Sequence, residues 1–227
     1  MKRILYLKTK ISVTLGHSHF HQVGWVRDMR LVKSLFPGIE KKRLISSQTD
    51  DYPLLPSLNL RTNPHLASSW MQITNDVERF INLTLSLIHP GLFQTGLTML
   101  QELRKLDTTK DIARQWQSVY TGISIVSNRI TPPHRDSRGR PEWFDTLLNC
   151  CDGDSRPRLI IKDLGLDLEY SSGTVVGFCG SIFQHEVQTW GPGDRICYAH
   201  FMRESVRKRL DVAPAGWVDR QMYLPKN

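Results

Sequence analysis

The chain has 227 residues, of which 40% are hydrophobic and 23% are charged, and this length fits one large domain with a core of its own. It has no uninterrupted run of 18 apolar residues, and basic and histidine residues interrupt the apolar positions near its N-terminus. We therefore expect neither a transmembrane helix nor a signal peptide. The four cysteines, with Cys150 and Cys151 adjacent, do not make a disulfide framework and favour a reducing intracellular compartment.

The net charge of +8 is concentrated in the first fifth of the chain. Residues 1–45 hold ten Lys and Arg against Asp28 and Glu40, whereas residues 46–227 hold 20 basic and 20 acidic residues. A basic arm on a neutral body is typical of a protein that binds a polyanion, most often nucleic acid. The alternative is a solvated arm that only aids solubility.

Helical patterns dominate the segment that follows this arm and a predicted linker at residues 50–53. Asn75 and Glu78 have the spacing of a capping box and predict a helix that ends before the breaker at residues 89–91. A second apolar stripe follows, and Thr108 with Asp111 predicts the cap of a third helix. Four regions are expected: a basic N-terminal segment (1–60), a helical support region (61–120), a β core (121–210) and a C-terminal tail (211–227).

The pattern changes to short strands after Tyr120. Turn-forming sequences such as Ser-Arg-Gly-Arg-Pro and Trp-Gly-Pro-Gly-Asp separate the apolar runs. Short strands at this spacing indicate an antiparallel sandwich or barrel rather than a doubly wound parallel sheet. The predicted strands are 122–130, 142–149, 158–162, 166–170, 173–178, 182–188 and 195–203.

Two residues of the β core have the spacing of metal ligands. On an extended backbone, His134 and Asp136 point to the same side and can reach one ion. A third ligand can come from His185 or His200. Side-chain alternation along the last strand places Arg195 and His200 on opposite faces, so a site that uses Arg195 excludes His200 and favours His185.

Two histidines and one carboxylate form the facial triad of non-haem Fe(II) oxygenases, which leaves positions open for a 2-oxo acid and dioxygen. Such a co-substrate ends in a second carboxylate. A planar guanidinium matches a carboxylate with two parallel hydrogen bonds, which a lysine cannot supply. Arg195 shares its face of the last strand with Cys197 and Phe201 and has the right chemistry for this contact.

Three strings carry a resemblance to a known family. They are Asn-Arg-Ile-Thr-Pro-Pro-His-Arg-Asp at 128–136, Gly-Thr-Val-Val-Gly-Phe at 173–178 continuing to Phe-Gln-His-Glu-Val at 183–187, and Gly-Asp-Arg-Ile-Cys-Tyr-Ala-His-Phe at 193–201. Together they resemble the Fe(II)/2-oxoglutarate dioxygenases of the TET/J-binding-protein branch, particularly its compact fungal and protist members. The resemblance covers about residues 120–210. It implies an α+β fold with a double-stranded β-helix (jelly-roll) core and N-terminal helices packed on the major sheet.

The resemblance also implies roles for individual residues. It makes His134, Asp136 and His185 the catalytic iron ligands and Arg195 the anchor for 2-oxoglutarate. Cys197 stands where family members often carry Ser, a stronger donor, and Arg129 is a weaker candidate for co-substrate binding. Phe201 would stack on the substrate base and Arg203 would contact its polar edge. The alternatives are a structural ion pair for Arg195 and plain core packing for Phe201.

The resemblance therefore implies a dioxygenase that uses Fe(II) and 2-oxoglutarate to oxidise the methyl group of 5-methylcytosine in DNA. The base must leave the stack to reach the iron, so flipped DNA is the expected partner. We expect a nuclear monomer without membrane contact. The alternatives are a dioxygenase acting on an N-methylated base, RNA or protein, and a DNA-binding module that has lost turnover.

Overall fold

The computed structural model describes residues 5–7, 53–137, 139–152 and 155–223. Within these residues the helices precede most of the strands. The helices are α1 (Leu58–Thr62), α2 (Pro64–Ile73), α3 (Asn75–Ile88), α4 (Pro90–Leu103), α5 (Lys110–Gln115) and α6 (Glu204–Arg209). The strands are β1 (Leu5–Leu7), β2 (Gly122–Ser127), β3 (Thr131–His134), β4 (Asp145–Cys151), β5 (Arg158–Ile161), β6 (Leu166–Glu169), β7 (Val175–Phe178), β8 (His185–Val187) and β9 (Arg195–Phe201).

The described strands form two antiparallel sheets. The major sheet has the order β1-β7-β4-β9-β2, and the minor sheet has the order β3-β8-β5-β6. Leu159 and Ile161 of the minor sheet share one apolar core with Leu147 and Phe178 of the major sheet, so the two sheets pack face to face. The antiparallel pairing expected from the strand spacing is therefore present. None of the described helices is long and apolar enough to cross a membrane.

The helices cover the outer face of the major sheet, as the resemblance implies. A second apolar cluster joins Trp70 of α2 and Leu100 of α4 to Ile123 of β2 and Ile196 of β9. Glu78 of α3 also reaches the sheet. Its carboxylate lies 3.1 Å from Nε2 of His200, and both side chains are buried.

The start of α3 shows that the predicted capping box of Asn75 and Glu78 is wrong. The helix begins at Asn75 with Thr74 as its N-cap, and no side-chain hydrogen bond caps it. Glu78 is unavailable for a capping box because its carboxylate pairs with His200. Thr109, rather than Thr108, is the N-cap of α5, and it makes no side-chain capping bond; its hydroxyl donates instead to the carbonyl of Leu103. The predicted linker lies outside the described residues except for Pro53.

Strand β3 was not among the predicted strands. Its sequence Thr-Pro-Pro-His contains two residues that cannot donate to a ladder, yet the strand pairs with β8 at the edge of the minor sheet. Edge strands tolerate proline because one row of backbone groups faces away from the sheet. All seven predicted strands extend beyond the observed ones at one end or both, with the largest overruns at 128–130, 142–144 and 182–184, and β4 continues past the predicted end to Cys151.

The junction between α3 and α4 contains a buried histidine with both ring nitrogens in use. Nδ1 of His89 accepts from the backbone N–H of Leu92, and Nε2 lies 3.1 Å from the carbonyl of Glu142. This pattern requires a neutral ring that carries its proton on Nε2. Burial, the largest effect, lowers the pKa of His89 below its usual 6.5.

The lowered pKa predicts a loss of stability in acid. Below about pH 6.5 the unfolded chain takes up a proton at His89 that the folded chain resists, so the free energy of unfolding falls by up to about 1.4 kcal/mol per pH unit. His89→Asn keeps a capping side chain but cannot titrate. We expect urea unfolding between pH 7.5 and 5.5 to show a shallower loss for this variant, and equal slopes would contradict the assignment.

Candidate active site

Three side chains from two neighbouring segments converge at the start of β8. His134 ends β3, Asp136 follows two residues later, and His185 begins β8 directly opposite His134. Their potential ligand atoms all lie within 4.8 Å of one another. Nε2 of His134 lies 3.7 Å from the carboxylate of Asp136, and Nε2 of His185 lies 3.6 Å from it.

Backbone carbonyls orient both imidazole rings. Nδ1 of His185 lies 3.0 Å from the carbonyl of Phe183, and Nδ1 of His134 lies 3.0 Å from that of Pro132 and 3.1 Å from that of His185. A proton on Nδ1 satisfies these contacts and leaves the Nε2 lone pairs facing Asp136. Burial lowers the pKa of His185 despite the nearby carboxylate, and the neutral imidazole is the form that binds a metal.

Arg135, between the candidate ligands His134 and Asp136, connects their segment to the loop that precedes His185. Nε of Arg135 donates to the carbonyl of Ile182 at 2.8 Å, and its Nη2 contacts both oxygens of Asp163 at 3.0 and 3.2 Å. Asp163 also accepts from the backbone N–H of Gln184 at 2.6 Å. These bonds hold the His134 segment against the loop that leads to His185 without help from a metal.

Arg195 begins β9 and is almost completely buried, with 1% of its surface exposed. Its guanidinium stacks against the rings of Tyr170 and Trp190, with its central carbon 5.4 and 5.7 Å from their centroids. Within the described part of the chain, Nε and Nη1 have no hydrogen-bond partner. A buried cation with unused donors is costly, and the carboxylate of a bound acid would satisfy it.

Cys197, two residues after Arg195 on β9, has a weakly polar side chain. Sγ of Cys197 lies 3.4 Å from the hydroxyl of Tyr170. Burial raises the pKa of Cys197, so the side chain is a neutral thiol. It can give a bound carboxylate a weak hydrogen bond at most.

A cavity of about 300 Å³ joins these groups. Every site residue predicted from the sequence lines this cavity: Arg129, His134, Asp136, His185, Arg195, Cys197, Phe201 and Arg203. His200 borders it as well, but its ring pairs with Glu78 and lies 0% exposed. The alternation argument that separated His200 from Arg195 therefore agrees with the geometry.

Phe201 and Arg203 form the wall farther along β9. Phe201 stands opposite Gly122 of β2, and a Cβ on that glycine would overlap the phenyl ring. The guanidinium of Arg203 lies 4.6 Å from the Phe201 ring centroid. The glycine thus leaves space for a half-buried aromatic ring that faces the cavity.

The sequence analysis missed a second carboxylate in this cavity. Asp145 begins β4, and both its Oδ2 and that of Asp136 lie close to Gly180, within 2.5 and 2.6 Å of where a Cβ would be. Burial, followed by the charge of Asp136, raises the pKa of Asp145 well above its usual range. Its place in an apolar strand, Trp-Phe-Asp-Thr-Leu-Leu, was the available signal, because an ionisable residue there is unusual.

The donor set fits the groups that the site implies. Two imidazoles and a carboxylate that converge beside a cavity suit Fe(II). The buried guanidinium of Arg195, whose Nε and Nη1 have no partner among the described residues, suits the distal carboxylate of a 2-oxo acid. A cavity between antiparallel sheets with this combination is typical of Fe(II)/2-oxoglutarate oxygenases.

The family comparison is more specific. Residues 54–204 match the Tet_JBP family, described as the oxygenase domain of the 2OGFeDO superfamily, and the chain belongs to this family. It is therefore an oxygenase of the Fe(II)/2-oxoglutarate-dependent superfamily, with iron and 2-oxoglutarate as its cofactors.

A solved structure shares the fold. The structure described as NgTET1 in complex with 5mC DNA superposes with a TM-score of 0.59 at 16% sequence identity. The match covers 82% of this chain and 70% of that one. No curated protein matches the sequence.

Proposed function

We propose that this dioxygenase oxidises the methyl group of 5-methylcytosine in DNA. His134, Asp136 and His185 hold the iron, and Arg195 holds 2-oxoglutarate. Together the bound cofactors supply the activation of dioxygen: one oxygen atom enters the methyl group as a hydroxyl, and the other enters 2-oxoglutarate, which leaves as succinate and CO2. The protein contributes binding, orientation and exclusion of water.

The observation that carries the proposal is that three groups line one cavity. They are the metal-ligand cluster, the guanidinium of Arg195 with its unbonded Nε and Nη1, and the pair formed by Phe201 and Arg203. Enzymes that modify a base inside a duplex must flip it out and commonly hold it against an aromatic ring. Phe201 offers that ring on the same strand as the co-substrate anchor.

The solved relative supports the choice of substrate. NgTET1 was solved in complex with 5mC DNA, and this chain shares its fold. On the same grounds we propose that the two sheets are the halves of a double-stranded β-helix.

The remaining residues have supporting roles in this proposal. Arg129, in the segment between β2 and β3, lines the cavity and is the weaker candidate for a contact with the co-substrate. Cys197 gives the distal carboxylate a weak second contact. Arg203 is placed by a hydrogen bond from its backbone N–H to the hydroxyl of Thr121 at 2.9 Å, so its side chain can reach the edge of a base that stacks on Phe201.

The test is incubation of the purified chain with Fe(II), 2-oxoglutarate and duplexes that carry 5-methylcytosine, unmodified cytosine or N6-methyladenine. Digestion to nucleosides and mass spectrometry would identify hydroxymethyl, formyl or carboxyl products, and succinate release would be measured in parallel. The proposal predicts oxidised cytosine only with the methylated duplex. Succinate without any modified cytosine would refute the substrate and redirect the search to N-methylated bases, RNA or protein.

The basic arm makes a separate prediction about DNA binding. Deleting residues 1–45 should weaken the affinity for duplex DNA and flatten its salt dependence, since each neutralised phosphate contributes about −0.9 to the slope of log affinity against log salt. The deletion also removes β1, which pairs with β7. Replacing Lys41, Lys42 and Arg43 by glutamine separates charge from this pairing. An unchanged slope in both proteins would make the arm a solubility feature.

A further inference from the structure

Asn128 has an unusual backbone conformation at the end of β2. Its φ of 50° lies in the left-handed region, which asparagine tolerates better than most residues. At this point the strand stops following the ladder that it forms with β9, whose last register pair is Ser127 with Ile196. The next residue of β9 along this direction is Arg195.

The side chain of Asn128 supplies one of the two hydrogen bonds that the next register pair of β2 and β9 would make. The backbone N–H of Asn128 donates to the carbonyl of Arg195 at 2.8 Å. In return, the backbone N–H of Arg195 donates to Oδ1 of Asn128 at 2.7 Å. A hydrogen-bonded pair in an antiparallel sheet exchanges two such bonds between backbones. Here the amide oxygen replaces the missing carbonyl.

The amide nitrogen of Asn128 binds Asp194, the residue that precedes Arg195. Nδ2 of Asn128 donates to Oδ1 of Asp194 at 2.6 Å. The backbone N–H of Asp194 in turn donates to Oδ2 of Asp152 at 2.6 Å. Because one end of the amide accepts and the other donates, its orientation is determined and cannot be reversed without loss of both bonds.

The position of Arg195 at the start of a strand explains why its backbone needs these hydrogen bonds. Arg195 is the first residue of β9 and follows a turn in which Gly191 and Gly193 both have positive φ, 86° and 96°. A strand end next to a glycine-rich turn frays easily. The guanidinium of Arg195 must nevertheless stay buried between two aromatic rings with unused donors.

We propose that Asn128 is a positioning residue for the co-substrate: it holds the backbone of Arg195 so that the guanidinium is in place before 2-oxoglutarate binds. The inference rests on the proposed role of Arg195 as the anchor. It does not require a particular substrate, because Asn128 acts on the co-substrate end of the cavity.

The experiment compares Asn128→Gly and Asn128→Asp in the 227-residue chain. Glycine accepts the positive φ but removes both side-chain bonds. Aspartate keeps an acceptor for the N–H of Arg195 but loses the donor to Asp194. Asp211→Gly is the matched control, because Asp211 is exposed, has a φ of 51° and does not line the cavity.

We expect Asn128→Gly to raise the KM for 2-oxoglutarate by about 3- to 10-fold, the range for losing the neutral hydrogen bond that directly holds the N–H of Arg195. The value of kcat at saturating 2-oxoglutarate, the KM for DNA and the iron content should stay at the wild-type level. Asn128→Asp keeps the acceptor for Arg195 but sets a second carboxylate against Asp194, so it should also raise this KM, and Asp211→Gly should leave it unchanged.

The outcomes separate this inference from the proposed function. If Arg195→Lys weakens 2-oxoglutarate binding and both Asn128 variants bind it as the wild type does, Asn128 has no positioning role and the anchor assignment stands. If kcat, iron content and melting temperature fall together with co-substrate affinity in both variants, Asn128 is only structural and the inference is overturned. If neither Arg195→Lys nor the Asn128 variants affect 2-oxoglutarate, the anchor assignment itself fails.

Discussion

Alanine in place of His134 or Asp136 is expected to abolish iron retention and turnover together. An open iron site keeps three protein ligands, so each variant leaves two. The loss should exceed the roughly 10- to 100-fold reduction in metal affinity that follows removal of a group that merely orients a ligand. Metal analysis after desalting and succinate formation under saturating Fe(II) would measure the two effects.

The fold should survive these substitutions. The bonds from Arg135 to Ile182 and Asp163 hold the two ligand segments without the metal, and the side chains of His134 and Asp136 are 35% and 44% exposed. His65→Ala is the matched control, because His65 is exposed on α2 and lies outside the cavity. A His134→Ala protein that keeps stoichiometric iron would contradict the proposed ligand set.

The second large effect is expected at Arg195. Replacement by lysine exchanges a two-pronged donor for a point charge and loses one of two charge-assisted hydrogen bonds, each contributing roughly 1.5–3 kcal/mol. The apparent affinity for 2-oxoglutarate should fall by about 10- to 100-fold. Iron should stay bound, and saturating co-substrate should restore much of the rate. Titration of 2-oxoglutarate in the succinate assay measures this change.

Two further variants complete the test. Arg158→Lys is a suitable control because Arg158 forms an exposed pair with Asp167 on the minor sheet, at 2.8 Å. Cys197→Ser should strengthen co-substrate binding or leave it unchanged, since a hydroxyl is a better donor than a thiol. Loss of both metal and fold in Arg195→Lys would instead make Arg195 a structural residue, and Arg129 would be the next candidate for the anchor.

Local chemistry explains why part of the site could be predicted from the sequence alone. The two-residue spacing of His134 and Asp136, and the alternation that separates Arg195 from His200, follow from the period of an extended chain. The end of α3 at Ile88 follows from the properties of the proline two residues later, although Pro90 and Gly91 already belong to α4. These patterns depend on neighbours along the chain, so they can be predicted without a three-dimensional arrangement.

Other features depend on which residues meet across the sheets. The sequence predicted a capping role for Glu78, but packing of α3 on the major sheet pairs it with His200, 122 positions away. The approach of Asp145 to Asp136 beside Gly180, and the enclosure of Arg195 by Tyr170 and Trp190, likewise join distant segments.

The sequence by itself determined the chemical class: it contains the ligand types, their spacing along the strands, and the arginine suited to a carboxylate. Tertiary structure decided how that chemistry is arranged. Pairing of β3 with β8 brings His134 against His185, and the exchange of hydrogen bonds between Asn128 and Arg195 sets the start of β9. The physical reason is that strand pairing and burial act between residues far apart in the chain, so a local pattern does not specify them.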